Sequence, residues 1–170
     1  VPGKMFFTKV RVAKRSDGKR QLFMVTSWGN VAYTAVQKSS NWIDDYETPR
    51  YFDMLGIKDL DVLVNASGNL QVYTLHRDGT MRQRIQSGSG WSRWDDFYDR
   101  FDDSGGPSPR DFVSLTASTW LRPGAPDTPV IFAVDDAGNI YFSEYVEGWF
   151  CKPFCTEQKR WSGWRILGSD

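Results

Sequence analysis

Two stretches of the chain, GSGWSRWDDF (residues 88–97) and KRWSGWRILG (residues 159–168), each set two tryptophans three positions apart among glycine, serine and charged residues. Trp91, Trp94, Trp161 and Trp164 offer two kinds of chemistry. An indole can fill a core, or it can lie under the C–H face of a sugar ring while nearby polar groups take the hydroxyls. Residues three apart on a strand point to opposite faces. That spacing predicts a division within each pair, one tryptophan packed and one available as a platform. Hydroxyls are held most firmly by charged partners. Arg82 and Arg84 in TMRQRIQ stand close to the first pair, and Tyr73 and Glu144 lie in the apolar stretches upstream. Trp42, in SSNWIDDY, is a lone candidate of the same kind. The arginines also read as solvated edge charges that discourage strand-on-strand aggregation.

Catalytic constellations are missing from the pattern. The one histidine, His76, adjoins the turn RDGT without a serine or cysteine in nucleophile context, and is expected at the surface. Acids occur as neighbours at Asp44–Asp45, Asp95–Asp96, Asp102–Asp103 and Asp135–Asp136. Glycoside cleavage needs two carboxyls facing across a bond, roughly 5 to 10 Å apart, whereas strand neighbours diverge. No phosphate loop, dinucleotide fingerprint or metal-ligand spacing is present, and DDAGN offers too few oxygens for calcium. The expectation is a protein that is not an enzyme, with no cofactor and no metal.

Cys151 and Cys155 in CKPFC lack the further ligands of a zinc site. They read as a local disulfide or as two buried thiols. Together with NAS at residues 65–67, an N-glycosylation pattern, they favour a secreted or extracellular protein. The start VPGKMFF has neither initiator methionine nor a signal-peptide core, as in a processed form or an excerpt. Lysine plus arginine match aspartate plus glutamate at 21 each, so nothing in the charge balance attracts nucleic acid. No apolar run approaches the roughly 18 to 20 residues of a membrane span. Eight tryptophans in 170 residues exceed what packing alone usually asks for.

The elements that must position these residues are strands. Gly-Asn recurs in QLFMVTSWGNVAYTAV, LDVLVNASGNLQVYTL and PVIFAVDDAGNIYFSEY. Aligned on Gly29, Gly68 and Gly138, apolar residues alternate on both sides of each glycine, the period of two half-buried strands joined by a tight turn. The intervals from Gly68 to Trp91 and from Gly138 to Trp161 are both 23 residues. A further apolar stretch precedes each hairpin: MFFTKVRVA, RYFDMLGI and DFVSLTAS. The chain therefore divides into three four-stranded units, about 4–48, 49–100 and 110–168, within one repeat domain over residues 1–170. Helical periodicity is absent. The predicted fold class is all-β, with β-propeller-type repeats and three blades per chain. Three blades leave two bare faces. The chain is then half of a homodimeric six-bladed ring closed by a two-fold contact pairing the same surfaces, part of a longer propeller, or another all-β arrangement. The homodimer is the favoured expectation.

The apolar strands VIFAV and VLVNA, the turns AGNIYF and SGNLQVY, and the endings GWSRW and RWSGWRILG resemble the PLL-type bacterial lectins and their tectonin-like relatives. The resemblance covers all three units, strongly in the second and third. It implies propellers with ligand sites between neighbouring blades, often for fucose or methylated sugars. The expected function is non-catalytic carbohydrate binding, with glycans as partners held by aromatic stacking and polar contacts. The alternative is a protein-interaction or assembly scaffold whose aromatics are packing alone.

Overall fold

The computed structural model describes residues 6–27, 32–39, 45–53, 56–96, 111–120, 128–151 and 155–167, with residues 147–151 and 155–160 described as backbone. Trp42 lies outside the described residues. Among them there is no α-helix, and the strands form three antiparallel sheets.

Sheet one contains β1 (Phe7–Lys14), β2 (Arg20–Thr26), β3 (Ala32–Val36) and β4 (Arg50–Asp53), paired in that order. Sheet two contains β5 (Ile57–Val64), β6 (Leu70–His76), β7 (Met81–Ser87) and β8 (Gly90–Trp91), and β9 (Asp95–Asp96) also pairs with β7. Sheet three contains β10 (Phe112–Trp120), β11 (Thr128–Asp135), β12 (Ile140–Cys151) and β13 (Cys155–Trp161), and β14 (Arg165–Ile166) returns to β12. RYFD thus closes sheet one instead of opening the second unit, and sheet one runs past residue 48. The first strand of sheet two is IKDLDVLV.

Four hairpins use one five-residue loop, at residues 15–19, 65–69, 76–80 and 135–139, in which the first amide donates to the last carbonyl. The fourth residue is glycine each time, Gly18, Gly68, Gly79 and Gly138, at φ of 82°, 77°, 88° and 87°. This left-handed position excludes most side chains and follows a type I turn. Gly138 joins the second and third strands of its sheet, and so does Gly79; Gly68 joins the first and second. The Gly-Asn frames of units two and three are therefore one strand out of step. Their shared interval of 23 residues reflects the longer β12–β13 hairpin, not a common position.

The pairing registers give the equivalences directly. Gln37, Gln86 and Tyr145 stand opposite Tyr46, Trp91 and Trp161. Four residues on, the chain rejoins the third strand, with Arg50 opposite Thr34, Asp95 opposite Gln83 and Arg165 opposite Phe142. The partner of Trp91 in sheet one is thus Tyr46, and Pro49 holds the place of the second tryptophan. The first strands also share an irregularity, with a shift in register between Phe7 and Lys9, Ile57 and Asp59, and Phe112 and Ser114. One extra residue there puts Ile57 on the same side as Leu60.

The core lies between sheets. Phe23, Val25, Ala32 and Phe52 of sheet one bury Ile57, Leu60, Leu70 and Val72 of sheet two. On its other side sheet two presents Leu63, Tyr73, Leu75 and Met81 to Phe112, Leu115, Ile131 and Ala133 of sheet three. Along the first strands, Lys9 Nζ meets Asp59 Oδ1 at 2.8 Å and Arg11 Nε meets Asp61 Oδ1 at 3.0 Å. The second oxygens of the same carboxylates accept from the amides of Leu115 at 3.0 Å and Ala117 at 2.8 Å. Two acids on β5 thereby tie all three sheets together.

Candidate functional site

The tryptophan pairs sit where the outermost strand breaks. Ser92 N donates to Ile85 O, and Ser92 Oγ accepts from Ile85 N at 3.0 Å. Ser162 repeats both bonds with Glu144, its Oγ accepting from Glu144 N at 3.0 Å. The serine hydroxyl replaces the ladder acceptor that the broken strand cannot supply. The Ile85 and Glu144 amides thereby keep a partner where the strand breaks. The break also changes the facing of the side chains, so both tryptophans of a pair lie on the same side of their sheet. Phe52 meets Trp91 edge-on at 5.0 Å and Trp94 at 5.4 Å. Trp161 meets Tyr73 at 5.7 Å, and Trp164 meets Phe112 at 4.9 Å. The expected split of one buried and one free tryptophan per pair assumed a continuous strand, which does not exist there.

Each pair thus faces the preceding sheet, and each boundary holds a cleft at equivalent positions. Between sheets one and two, Gln21, Thr34 and Val36 face Gln86 and Trp91. Between sheets two and three, Gln71, Gln83 and Ile85 face Tyr145 and Trp161. The volumes differ greatly, about 520 Å³ against about 70 Å³. Small-molecule sites usually measure roughly 300 to 1,000 Å³, and a water occupies about 30 Å³. Only the first cleft can take a sugar-sized ligand. Gln83 for Thr34 and Tyr145 for Gln86 fill the second with bulk.

The larger cleft combines aromatic walls with paired charges. Trp91, Phe52 and Tyr51 line it together with Arg84, Gln86, Glu47, Arg50, Arg15 and Asp17. Arg84 is stacked over Phe52, Trp91 and Trp94, with its guanidinium carbon 5.4, 5.9 and 5.6 Å from the ring centres. Its Nε donates to Ser92 O at 2.7 Å, which fixes the guanidinium in place. Arg15 pairs with Asp17 at 3.3 Å and Arg50 with Glu47 at 3.5 Å within the wall. Such a lining offers fixed donors and acceptors around the aromatic wall, with four cationic side chains, Arg15, Lys19, Arg50 and Arg84, against the two carboxylates of Asp17 and Glu47.

Gln21 carries the sharpest signal. It is 2% exposed, and its Nε2 donates to Thr34 Oγ1 at 2.9 Å. Thr34 Oγ1 donates in turn to Leu22 O at 2.8 Å, so it must accept from Gln21, and the amide orientation is settled. Gln21 Oε1 is left buried without a partner among the described residues. An unmet buried acceptor costs about 1 to 3 kcal/mol.

The other residues singled out from sequence are scattered. Trp161 and Trp164 are 4% and 8% exposed and belong to the core between sheets two and three. Tyr73 is fully buried, and burial pushes its phenol far above the ordinary range, so the hydroxyl stays protonated and donates to Gln71 Oε1 at 3.1 Å. Arg82 is held by Asp96 Oδ1 at 2.7 Å, on the strand edge away from the cleft lining. Glu144 is ion-paired with Arg165 on the side of sheet three that faces away from sheet two. His76, expected at the surface, is buried with Nε2 3.1 Å from Thr74 Oγ1, because its strand lies inside sheet two. Asp135 spends both oxygens on Asn139 and Tyr141, and the Asn139 side chain foremost holds its carboxyl below the usual range. The backbone register sets Cys151 opposite Cys155. Sequence reasoning missed Gln21, Phe52, Tyr51, Glu47 and Gln86. A polar residue two before an aromatic on the second strand, Gln21 before Phe23 and Gln71 before Tyr73, was the available signal.

The sequence matches no protein-family model, and no curated protein matches it. Among solved structures the chain is similar to a fucose lectin from Kordia zhangzhouensis in complex with methyl-fucoside, with 15% identity and a TM-score of 0.44 over 95% of this chain and 99% of that one.

Proposed function

We propose that the chain is a carbohydrate-binding protein, a lectin, whose sugar lies in the cleft between sheets one and two. The carrying observation is the buried, unpartnered Gln21 Oε1 in the wall of a cleft also lined by Trp91 and Phe52. In this reading an apolar face of the sugar meets the exposed part of the Trp91 ring. Hydroxyls donate to Gln21 Oε1 and Glu47 and accept from Arg50. The sheets are propeller blades and the site is inter-blade. Fucose and methylated sugars, which the motif resemblance implies, are the first ligands to test, and an extracellular location belongs to the same reading. Binding requires no covalent step and no metal.

A glycan array probed with labelled protein, with calcium and with chelator, tests this. Binding confined to one sugar family, unchanged by chelator and lost in Trp91→Ala, is the expected result. A blank array from folded protein would remove the sugar reading. The aromatics would then be packing, as in an assembly scaffold.

A further inference from the structure

Sheet two is covered on both sides, whereas sheets one and three each turn one side away from it. Those two outward sides are apolar at the positions that the inner boundaries bury. On sheet one, Phe7, Val10 and Val12 are 40%, 50% and 56% exposed. Their register equivalents are Ile57, Leu60 and Val62 in sheet two and Phe112, Leu115 and Ala117 in sheet three, all packed against the preceding sheet. On sheet three, Phe132, Val134 and Ile140 stand where Tyr73, Leu75 and Met81 stand in sheet two, and Ile140 is 41% exposed against 0% for Met81. Phe142 extends this surface, with its ring 6.3 Å from Phe132 and 6.0 Å from Trp120.

We infer that the outward side of sheet three docks on the outward side of sheet one of a second copy. The contact repeats the two boundaries already inside the chain. The occupant is a second copy because the chain carries both halves of one joint, each shaped by the same register. The polar edge continues as well. Ser114 and Thr116 occupy the positions of Asp59 and Asp61, and their hydroxyls can accept from the second copy's Val10 and Val12 amides as those acids accept from Leu115 and Ala117. Unlike faces joining head to tail either close a ring or run on as a filament. Four-stranded sheets close in rings of about four to eight, and six is the multiple of three in that range. Two copies therefore close, with two such contacts.

Light scattering on the 170-residue chain without sugar reads this independently of the ligand. The expected mass is twice the 19.5 kDa of one chain. Val10→Asp and Ile140→Asp should each give folded monomers by circular dichroism, since both side chains are half exposed in the single chain. Mixing the two variants should restore a two-chain species, because each supplies the face the other lacks. A monomeric wild type, or open assemblies larger than two chains, would overturn the inference. So would an Ile140→Asp variant that stays dimeric, since like faces would then be pairing.

Discussion

Trp91 and Trp161 hold one register position, yet their surroundings divide their tasks. Trp161 is packed on Tyr73 and Tyr145 inside the core, while Trp91 keeps part of its ring at the wall of the larger cleft. Removing a fully buried tryptophan costs about 3 to 5 kcal/mol in lost contacts and cavity. Trp161→Ala should therefore lower the chemical-denaturation free energy by about 4 kcal/mol. Trp91→Ala should cost about half as much, because its ring is only partly buried, while abolishing sugar binding. Equal destabilisation by both substitutions would mean that Trp91 is core as well. The four tryptophans of the two pairs were legible as special residues from their spacing. Their facing was not, because it depends on a break in the strand made by hydrogen bonds from Ser92 and Ser162. Trp94 and Trp164 share that history.

At the scale of elements, the W-S-x-W turn is held by a hydroxyl in place of a carbonyl. Ser92→Ala leaves the Ile85 amide without its acceptor, a loss of about 1 to 2 kcal/mol. Hydrogen exchange at Ile85 should accelerate by at least tenfold while amides on β6 keep their protection. Unchanged exchange would show that the serine bond does not hold the strand end. The alternation of apolar residues made the paired strands β2 and β3, β5 and β6, and β11 and β12 legible, and the all-β class with four-stranded repeats follows from it. By contrast β7 (Met81–Ser87), rich in arginine and glutamine, showed no such alternation. The assignment of strands to sheets was less legible. Asp17-Gly18 and Asp78-Gly79 form the same loop as Asn65–Asn69 but lack the Gly-Asn dipeptide, so a frame built on that dipeptide skipped two turns. Arg50–Asp53 was legible as an apolar stretch, but its four residues do not show which sheet they join, and their pairing with β3 places them in sheet one.

Across the whole molecule, cohesion rests on stacked sheets and on the two acids of β5. Asp59 is buried and receives both Lys9 and the Leu115 amide. Breaking a buried ion pair from one side costs about 3 to 5 kcal/mol, and the partial exposure of Lys9 reduces this. Asp59→Ala should lower stability by about 2 to 3 kcal/mol, a fall of roughly 5 to 10 °C in Tm for a chain this long. A change below one degree would mean that Asp59 has no part in holding sheets one and three to sheet two. Nothing in the sequence marked Asp59 and Asp61, since each reads locally as an acid interrupting an apolar strand. Their partners lie about 50 residues away in either direction. The larger cleft was illegible for the same reason, because Gln21, Phe52 and Trp91 meet only when two sheets stack.

The most direct test of the sugar-binding account is a calorimetric titration of wild type and Gln21→Leu with the best sugar from the array. Leucine keeps the volume and removes the unpartnered oxygen. The account predicts at least tenfold weaker binding, about 1.4 kcal/mol, with folding stability equal to or above wild type. Undiminished affinity in Gln21→Leu would contradict it, because the buried acceptor would then have no part in holding the ligand.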